Sequence, residues 1–522
     1  MVRTIGIDLG TTYSAMAYVD IDGTPKVINN KEGDTTTPSV VTWREKEDGN
    51  VELIVGTIAK NQAVINPDNT INSIKRMMGK DFKLSIRGEE YTPEEISARI
   101  LMKLKKDAED SLGEVVENVV ISVPAYFRDG ERKATRNAAI IAGWDSASIE
   151  IKNEPDCAAV AFGLDRHLEE GKILVFDLGG GTFDVTILKI VEGIFNVVTN
   201  DGERLLGGND FDNRIINYLV EEFKTDNDVD LREDKEAMQR IAEKAEIAKN
   251  ALSSSTSTEI HIPFIVPDRR LDIKKTLTRE KFNELTKDLV EKTVEIVQRT
   301  YKNAGVDIDE LDKIVMVGGC SRIPAVNSAI KELFPDKKIL LFDPDLAIAR
   351  GAAIYATILF EPKTEEEKEK RKKILNLMGP GEIVASHALG VDAIINGEPG
   401  MFSIIIEKDS HLPAAGEETY STCEENQSTA HVMVYEGEKE KAADNHYLGE
   451  LIVSEIPPAP KGTEKVEVTF RYAMDNTLQV FAKILSTGKV VEADIDSPTR
   501  ISNKALMAMK DKADKDRALM SK

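Results

Sequence analysis

Cysteine is scarce in this chain of 522 residues, and its scarcity argues against a fold held by disulfides. The three cysteines, Cys157, Cys320 and Cys423, lie far apart and have no spacing typical of metal ligands. An odd number of isolated cysteines is typical of a reducing compartment, because small secreted domains pair their cysteines. We therefore expect a cytoplasmic protein.

Positive charge and long apolar runs are also in short supply. The chain carries 68 Lys and Arg residues against 91 Asp and Glu residues, which gives a net charge of −23. Such a chain would repel the phosphate backbone of a nucleic acid, so we expect no nucleic-acid partner. No apolar stretch is long enough for a signal peptide or a membrane span, so we expect no membrane contact.

A glycine-rich turn follows an apolar strand in the middle of the sequence. The strand covers residues 173–176, and three glycines at 179–181 leave backbone N–H groups uncovered, which favours phosphate binding. Asp177 ends the strand, where an acid beside a phosphate favours a hydrated Mg²⁺. Thr182 and Asp184 add a hydroxyl and a second acid. For this stretch alone, a tight turn in an ordinary hairpin is an equally open interpretation.

The N-terminus repeats this design and favours the phosphate interpretation. Residues 5–13 have the same order of apolar strand, Asp8, Leu, Gly and hydroxyls, and no Walker-type loop occurs in the chain. In both copies two further apolar segments follow, joined by turn signals at residues 22–23 and 192–193. Each copy therefore predicts a β-meander, and two facing copies would put Asp8 and Asp177 on opposite sides of one nucleotide cleft.

Three other segments carry candidate site residues whose patterns leave alternatives open. Glu154 precedes an alanine-rich helix, where helix capping is the simpler interpretation. On a predicted helix over residues 235–252, Glu246, Lys249 and Ser253 share one face and could grip one ligand, although a surface ion pair is the alternative. For the adjacent basic residues at 75 and 76, charge alone favours a solvated face.

Five motifs together resemble the signatures of the seventy-kilodalton heat-shock chaperones, within the actin and sugar-kinase ATPase superfamily. They lie at residues 7–14, 123–127, 153–155, 176–184 and 317–324. The likeness covers residues 3 to about 360. Three motifs of the second half, at residues 421–428, 441–445 and 458–462, resemble the peptide-binding domain of the same family.

The resemblance implies an α/β actin-like two-lobed ATPase domain followed by an all-β sandwich domain. We expect an ATPase domain over residues 1–362, a charged helix extension and linker over 363–387, a peptide-binding sandwich over 388–497 and a short helix over 498–522. A helical lid, usual in the family, is expected to be largely absent. The segment 395–401 predicts a longer loop than the family usually has, and the family's leucine linker is replaced at 377–383.

The resemblance also implies an ATPase that uses ATP and ADP with Mg²⁺ and K⁺. Asp8, Asp177 and Asp184 match residues that hold the cations, and Lys75, Glu154 and Thr182 match residues around the attacking water. The residues matching nucleotide contacts are Gly10, Thr11, Thr12, Tyr13, Gly179, Gly180, Gly181, Gly207, Gly208, Glu246, Lys249, Ser253, Gly318, Gly319, Arg322 and Asp345. Asn250 stands where the family usually has a second arginine against the adenine.

For the second half, the resemblance implies a chaperone that binds extended apolar segments of unfolded proteins and acts in protein folding under stress. An arch of Ile394 and Cys423 would close over the peptide, and the pocket would be lined by Val391, Tyr420, Ala430 and Val432. Pro124 and Arg132 match residues that relay the nucleotide state between domains. A J-domain co-chaperone and a nucleotide-exchange factor are the expected partners.

Other functions on the same fold are a small-molecule kinase, a filament-forming ATPase and an adaptor with a decayed ATPase half. The residues after 388 argue against the first two, because neither activity needs a peptide-binding sandwich. The acids, lysine and threonine of the ATPase motifs argue against decay.

Overall fold

The computed structural model describes residues 2–166, 170–191, 194–378, 385, 387–408, 410, 413–472, 478–494 and 501–520. The chain divides into two units, and the first comprises Met1–Tyr126, Ala134–Gly379 and Asn503–Lys522. The second comprises Phe127–Lys133 and Pro380–Ser502. The predicted turn at 192–193 and most of the linker segment 377–383 lie outside the described residues.

The elements are numbered in chain order. The strands of the first unit are β1 (Val2–Asp8), β2 (Tyr13–Val19), β3 (Pro25–Ile28), β4 (Thr36–Pro38), β5 (Val41–Glu45), β6 (Val51–Val55), β7 (Thr70–Ile71), β8 (Leu84–Ile86), β9 (Glu89–Tyr91), β10 (Val115–Val123), β11 (Ile149–Asn153), β12 (Gly171–Leu178), β13 (Phe183–Val191), β14 (Ile194–Glu203), β15 (Ser257–Val266), β16 (Leu271–Thr278), β17 (Lys313–Val317) and β18 (Lys338–Leu341). The strands of the second unit are β19 (Leu389–Ile395), β20 (Glu398–Ile406), β21 (Ala414–Ser421), β22 (Thr429–Glu436), β23 (His446–Ser454), β24 (Lys465–Tyr472), β25 (Leu478–Ile484) and β26 (Val490–Asp494). The helices are α1 (Thr57–Gln62), α2 (Pro93–Leu112), α3 (Asp129–Ile141), α4 (Glu154–Arg166), α5 (Gly208–Asn227), α6 (Lys235–Ser254), α7 (Arg279–Asn303), α8 (Pro324–Leu333), α9 (Ala347–Leu359), α10 (Glu365–Met378) and α11 (Asn503–Leu519).

The internal repeat predicted from the sequence is present as two sheets with the same strand arrangement. The first sheet has the order β11-β10-β1-β2-β3, with β4 paired to β2, and the second has the order β14-β13-β12-β17-β18. In each sheet an antiparallel meander is extended by two strands parallel to its first strand. Asp8 ends β1 and Asp177 lies one residue before the end of β12, so both acids lie at the carboxyl ends of parallel strands, where ligands bind.

Strand β12 is buried on both faces, as its unbroken apolar run predicts. Leu174 and Phe176 pack in one hydrophobic cluster, whereas Ile173 and Val175 pack in another. The period of two along a strand sends alternate side chains into opposite cores. This double burial fixes the position of the turn that follows the strand.

Local signals place several helices where the sequence predicts them. Helix α2 begins with a complete capping box, in which the Thr92 side chain accepts from the Glu95 N–H and the Glu95 side chain accepts from the Thr92 N–H. It ends at Gly113, whose φ of 68° lies in the left-handed region. The short helix expected within residues 498–522 is present as α11. Within the described residues, no helix combines the length and apolar character needed to cross a bilayer.

Helix α11 packs against α2 and β6 of the first unit. The Arg99 guanidinium on α2 is fully buried, and its Nε donates to Asp516 Oδ2 at 2.9 Å. Lys512 donates to the Glu90 carbonyl at 2.7 Å and lies 3.3 Å from the centroid of the Tyr91 ring. Ala513 is fully buried on the same helix. These contacts make α11 a packed element of the first unit.

The second unit consists of two four-stranded antiparallel sheets around one core. Their orders are β20-β19-β22-β23 and β21-β24-β25-β26. Side chains of β24 alternate between the core and the surface, because Val466, Val468 and Phe470 are buried and the residues between them are not. Together with residues of the other sheet they form one hydrophobic cluster.

The expected long loop at residues 395–401 is wrong. Ile395 pairs with Glu398, and only Asn396 and Gly397 separate β19 from β20. Both residues have positive φ, 55° and 84°, as a two-residue hairpin turn with Asn-Gly requires. The turn chemistry of Asn-Gly therefore decides the structure of this segment.

Candidate functional site

The two glycine turns of the repeat lie against each other. A Cβ atom on Gly180 would lie 2.1 Å from Thr12 Oγ1, and one on Gly181 would lie 2.4 Å from Thr11 Cγ2. The φ angles of the glycines at 179–181 lie outside the left-handed region, so Gly180 and Gly181 are needed for space, whereas a Cβ on Gly179 would make an ordinary contact of 3.7 Å with the Thr182 carbonyl oxygen. The turns therefore approach each other more closely than any other residue type would allow.

A cavity of about 560 Å³ lies between the two turns, a volume within the range of small-molecule sites. Most of the predicted ATPase residues line it. They are Asp8, Gly10, Thr11, Thr12, Tyr13, Lys75, Glu154, Asp177, Gly179, Gly180, Thr182, Glu246, Lys249, Ser253, Gly318, Gly319, Arg322 and Asp345. The structure thus brings together residues separated by more than three hundred positions in the sequence.

Four predicted residues do not line the cavity but lie behind its wall. Asp184 is 1% exposed, and its Oδ1 accepts from the Ala125 N–H at 3.2 Å. Gly207 and Gly208 begin helix α5, and a Cβ on Gly207 would lie 2.7 Å from the Gly181 backbone. A Cβ on Gly208 would lie 2.9 Å from Lys249 Nζ. Gly181, Gly207 and Gly208 therefore permit close packing behind the cavity.

Lys75 and Glu154 form a buried ion pair at the floor of the cavity. Lys75 Nζ donates to Glu154 Oε1 at 2.5 Å, and both side chains are less than a tenth exposed. Lys75 lies on a short 3-10 helix, Ile74–Met77, that follows Ser73 in a left-handed conformation, and Glu154 is the first residue of α4. The solvated face that charge alone favours for Lys75 is therefore wrong, because a buried carboxylate pairs with its ammonium.

Carboxylates outnumber cations around this pair. Burial, together with the charge of Glu154, raises the pKa of Asp8 to about 7. The same causes, with burial the largest, raise the pKa of Asp177 and of Asp184 well above the usual range. Asp184 Oδ2 is buried without a hydrogen-bond partner among the described residues. A bound cation would relieve this mutual repulsion.

The acids fit a hydrated Mg²⁺ rather than a fully protein-ligated ion. Within the described part of the chain, no group of three or more His, Cys, Asp or Glu side chains converges as metal ligands. Mg²⁺ usually keeps several waters and binds one or two carboxylates together with phosphate oxygens. Asp8 and Asp177, which line the cavity from the two sheets, are the carboxylates available for that role.

Helix α6 contributes one face to the other end of the cavity. Glu246 accepts from Tyr13 Oη at 3.0 Å and from Lys60 Nζ at 2.6 Å. Lys249 is buried and donates to Asp212 Oδ2 at 2.8 Å and to the Gly208 carbonyl at 3.2 Å. Glu246, Lys249 and Ser253 therefore line the cavity together, as their helical spacing predicts. Glu246 pairs with Lys60, and Lys249 pairs with Asp212.

Arg322 and Asp345 form a two-point ion pair at the same end. Arg322 Nη1 donates to Asp345 Oδ1 at 2.9 Å, and Nη2 donates to Oδ2 at 2.6 Å. Asn250 lines the cavity nearby and is exposed to solvent. The guanidinium plane is thus fixed by its partner, as a stacking platform requires.

Sequence reasoning missed several residues that line the cavity. Asn209 follows the Gly207-Gly208 pair, and Cys320 follows Gly318-Gly319, so their places beside glycine turns could have identified them. Thr36, Pro344 and Ile348 belong to no repeated motif, and no sequence signal marks them. Asn209 Nδ2 donates to Ser73 Oγ at 2.8 Å and so meets the segment that carries Lys75.

In the second unit, the predicted peptide-binding residues divide into two groups. Val391 and Val432 are buried in the core, and Tyr420 and Ala430 pack against it. Tyr420 Oη donates to Ser403 Oγ at 2.8 Å. Ile394, which is 54% exposed, and Cys423 lie at the surface.

The two predicted relay residues lie in different units. Pro124 is buried and directly follows β10, next to Ala125, whose N–H donates to Asp184. Arg132 lies on α3, and its Nε donates to the Phe127 carbonyl at 2.9 Å. The position of Pro124 connects the end of β10 to the acid behind the cavity.

Comparison with protein families identifies one relation that spans nearly the whole chain. The family model described as HSP70, Hsp70 protein, matches residues 4–519. The match includes residues of both units.

Proposed function

The chain belongs to the Hsp70 family, and we propose that it hydrolyses ATP in the 560 Å³ cavity between its two glycine turns. It is an ATPase and an ATP-dependent chaperone, as the family match over residues 4–519 shows. The main support for placing ATP hydrolysis in this cavity is the buried ion pair of Lys75 and Glu154 beside the two facing turns.

The glycine turns would hold the phosphates of the nucleotide. Gly10, Thr11, Thr12 and Tyr13 contribute backbone and hydroxyl groups from one side, and the turn at 179–181 contributes from the other. Gly318 and Gly319 leave room for the backbone to approach the nucleotide from a third side. This arrangement supports phosphate binding because side chains would otherwise fill the space.

The buried acids would hold the cations that accompany the phosphates. Asp8 and Asp177 are placed for a hydrated Mg²⁺, and Asp184 supports the site from behind. Bound Mg²⁺ neutralises phosphate charge that would otherwise oppose attack by water. We propose K⁺ as a further cation, since the acids around Lys75 outnumber the basic groups.

Lys75, Glu154 and Thr182 would orient the attacking water. An ammonium can only donate, so Lys75 would hold the water through its oxygen. Glu154 fixes that ammonium at 2.5 Å, and its second oxygen can accept from the water. The Thr182 hydroxyl can complete the water's surroundings, since it also lines the cavity.

The nucleoside would lie against α6 and Arg322. Glu246, Lys249 and Ser253 are placed for ribose and base contacts, and Arg322 is placed to lie against the purine, held by Asp345. Asn250 leaves the opposite face of the base without a guanidinium, so we infer one-sided stacking.

For the whole chain we propose an actin-like two-lobed ATPase domain and a β-sandwich that binds peptide. The proposed domains are 1–362, the linker 363–387, the sandwich 388–497 and the helix 498–522. The matching strand orders of the two sheets of the first unit support the two-lobed architecture. The shared core of the two antiparallel sheets supports the sandwich.

Unfolded polypeptide is the partner that we propose for the second unit. Extended peptide is bound through backbone hydrogen bonds and a few apolar pockets, and the exposed Ile394 and Cys423 would form an arch over it. Val391, Tyr420, Ala430 and Val432 would shape the pocket beneath. We also propose a J-domain co-chaperone and a nucleotide-exchange factor as partners. Pro124 and Arg132 would relay the nucleotide state between the domains. We place the protein in the cytoplasm, with a role in the response to stress. The unpaired cysteines support the compartment.

Replacement of Lys75 tests the proposed site most simply. Lys75→Ala should lower the single-turnover rate of ATP hydrolysis by at least about 100-fold, because it removes the donor to the attacking water. The affinity for ATP should change far less. Lys287→Ala is the matched control, since that lysine is 75% exposed on α7 and its removal should leave the rate unchanged. Equal rates for Lys75→Ala and the control would remove Lys75 from the mechanism.

A further inference from the structure

Arg76 connects the segment that carries Lys75 to the second glycine turn. Its Nε and Nη2 donate to the Gly181 carbonyl at 3.0 and 2.7 Å. Nη2 also donates to Asp210 Oδ2 at 2.6 Å. The side chain is about one-seventh exposed, so solvent screens these bonds only partly. A single planar guanidinium therefore meets a backbone carbonyl and a carboxylate across the cleft.

Asp210 fixes the start of helix α5 against the same turn. Its Oδ2 accepts from the Gly207 N–H at 2.9 Å, so the carboxylate caps the helix that it helps to begin. The next two N–H groups of the helix, of Gly208 and Asn209, donate to the carbonyls of Gly179 and Gly180 at 3.0 and 2.8 Å. Arg76 takes the third carbonyl of the turn, that of Gly181.

The three carbonyls of the turn are therefore all bonded, two by α5 and one by Arg76. The peptide group of Gly181 leads directly into Thr182, whose side chain lines the cavity. Removing the guanidinium would take away the Arg76 donors to the Gly181 carbonyl, while the Gly179 and Gly180 carbonyls would keep their donors from α5. Thr182 would then be held through its own carbonyl, which accepts from the Gly179 N–H at 3.1 Å, but no longer through the carbonyl of the preceding residue.

Lys75 and Arg76, which are adjacent in one short helix, thus contact two different parts of the site. Lys75 pairs with Glu154 at the start of α4, while Arg76 binds the turn before Thr182. The helix Ile74–Met77 fixes the two side chains relative to each other. The Arg76 bonds therefore tie the turn before Thr182 to the helix that carries Lys75.

We propose that Arg76 is a positioning residue for ATP hydrolysis, which it serves by holding the turn that presents Thr182 in register with Lys75. The proposal rests on the roles proposed above for Lys75 and Thr182. Arg76 does not line the cavity itself, so it acts through its neighbours. Its shape matters as well as its charge, because a single ammonium nitrogen cannot replace two nitrogens that converge on the Gly181 carbonyl oxygen while one of them also donates to Asp210.

The test compares the rate at which bound ATP is hydrolysed by the full-length wild-type chain and by its variants. ATP is bound first, and Mg²⁺-dependent hydrolysis is followed in a single turnover for wild type, Arg76→Met, Arg76→Lys and Asp210→Asn. Arg76→Met should slow hydrolysis about 10-fold to 100-fold, since displacement of a positioned group by about 1 Å costs up to that factor. The dissociation constant for ATP should change less than about threefold.

Two conservative variants distinguish position from charge. Arg76→Lys should recover only part of the rate, because it keeps the charge but loses the fork. Asp210→Asn should lie closer to wild type, because its amide oxygen can still accept from Arg76 and from Gly207. Arg240→Met is the matched control, since Arg240 also donates to two backbone carbonyls, those of Pro263 and Phe264, on the surface. It should leave the hydrolysis rate unchanged.

The inference is overturned if Arg76→Met hydrolyses bound ATP at the rate of the Arg240→Met control, or if Arg76→Lys restores the full rate. It is also overturned if the hydrolysis rate, the ATP affinity and the thermal stability of Arg76→Met all fall together, because a residue with a purely structural role would give that result. Failure of the proposed site gives a different pattern. In that case Lys75→Ala would hydrolyse ATP as fast as wild type, whatever the Arg76 variants do.

Discussion

At the scale of single residues, the proposed contact with the nucleobase depends on one guanidinium, that of Arg322, which lines the cavity. Asp345 holds its plane through two hydrogen bonds, so little side-chain entropy remains to be lost on stacking. Asn250 is exposed on α6 and carries no charge. The affinity for the base is therefore open to improvement at this position.

Asn250→Arg should tighten ATP binding. A second cation over the base contributes about 0.5 to 2 kcal/mol, which corresponds to about 2-fold to 30-fold in the dissociation constant. Calorimetry with ATP measures the change, and Asn250→Gln controls for side-chain length without charge. An unchanged or weaker affinity for ATP would mean that residue 250 does not face the base.

The positions of single residues at the cavity were predictable from the sequence where a motif repeats, and not where a side chain contacts a distant part of the chain. Asp8 and Asp177 follow from the repeat, because strand ends and glycine turns have local signatures. Burial of Lys75 does not follow from local charge, since its partner Glu154 lies 79 residues away. The bond from Arg76 to Gly181 spans 105 residues and has no local signature either.

At the scale of elements, α11 owes its position to a buried ion pair. Asp516 is the acidic partner of the fully buried Arg99, and Arg99 Nη1 also donates to the Glu95 carbonyl at 2.8 Å. Loss of one partner would leave the other charge buried and unpaired, which costs more than the pair itself contributes.

Asp516→Ala should therefore loosen α11 strongly. We expect a loss of about 3 to 5 kcal/mol in the free energy that holds the helix in place. Hydrogen exchange of the amides in α11 and α2 measures it, with Asp514→Ala as the control on the same helix. Asp514 is about half exposed and pairs with Arg517 at the surface, so its removal should cost less than about 1 kcal/mol. Equal exchange in the two variants would contradict the role of the buried pair.

Element boundaries were predictable where caps and turn residues are explicit. Thr92 and Glu95 mark the start of α2, and α11 lies within the segment where a short helix was expected. The hairpin at Asn396 and Gly397 was mispredicted from loop length, although its dipeptide favours a two-residue turn. The packing of α11 against α2 could not be predicted, since no local pattern pairs Asp516 with Arg99.

At the scale of the whole molecule, one chain combines the proposed nucleotide cavity in the first unit with an antiparallel two-sheet unit. The sequence predicts this combination because the repeat marks the first half of the chain and family motifs mark the second half. It does not predict how nucleotide and peptide influence each other, because that coupling is a difference in free energy between states of the whole chain.

The central claim is that ATP hydrolysis in this cavity responds to peptide bound by the second unit. The decisive measurement is the steady-state rate of ATP turnover with an extended apolar peptide, and with the same peptide carrying Asp at its apolar positions. The same rates are measured for two variants that place a charge at an exposed isoleucine. Ile394→Asp changes the proposed arch, and Ile452→Asp is the control, because the two side chains are 54% and 51% exposed. We predict that the apolar peptide accelerates turnover in wild type and in Ile452→Asp, but not in Ile394→Asp, and that the charged peptide has no effect. Turnover that is the same with either peptide, or stimulation that survives Ile394→Asp, would contradict the account.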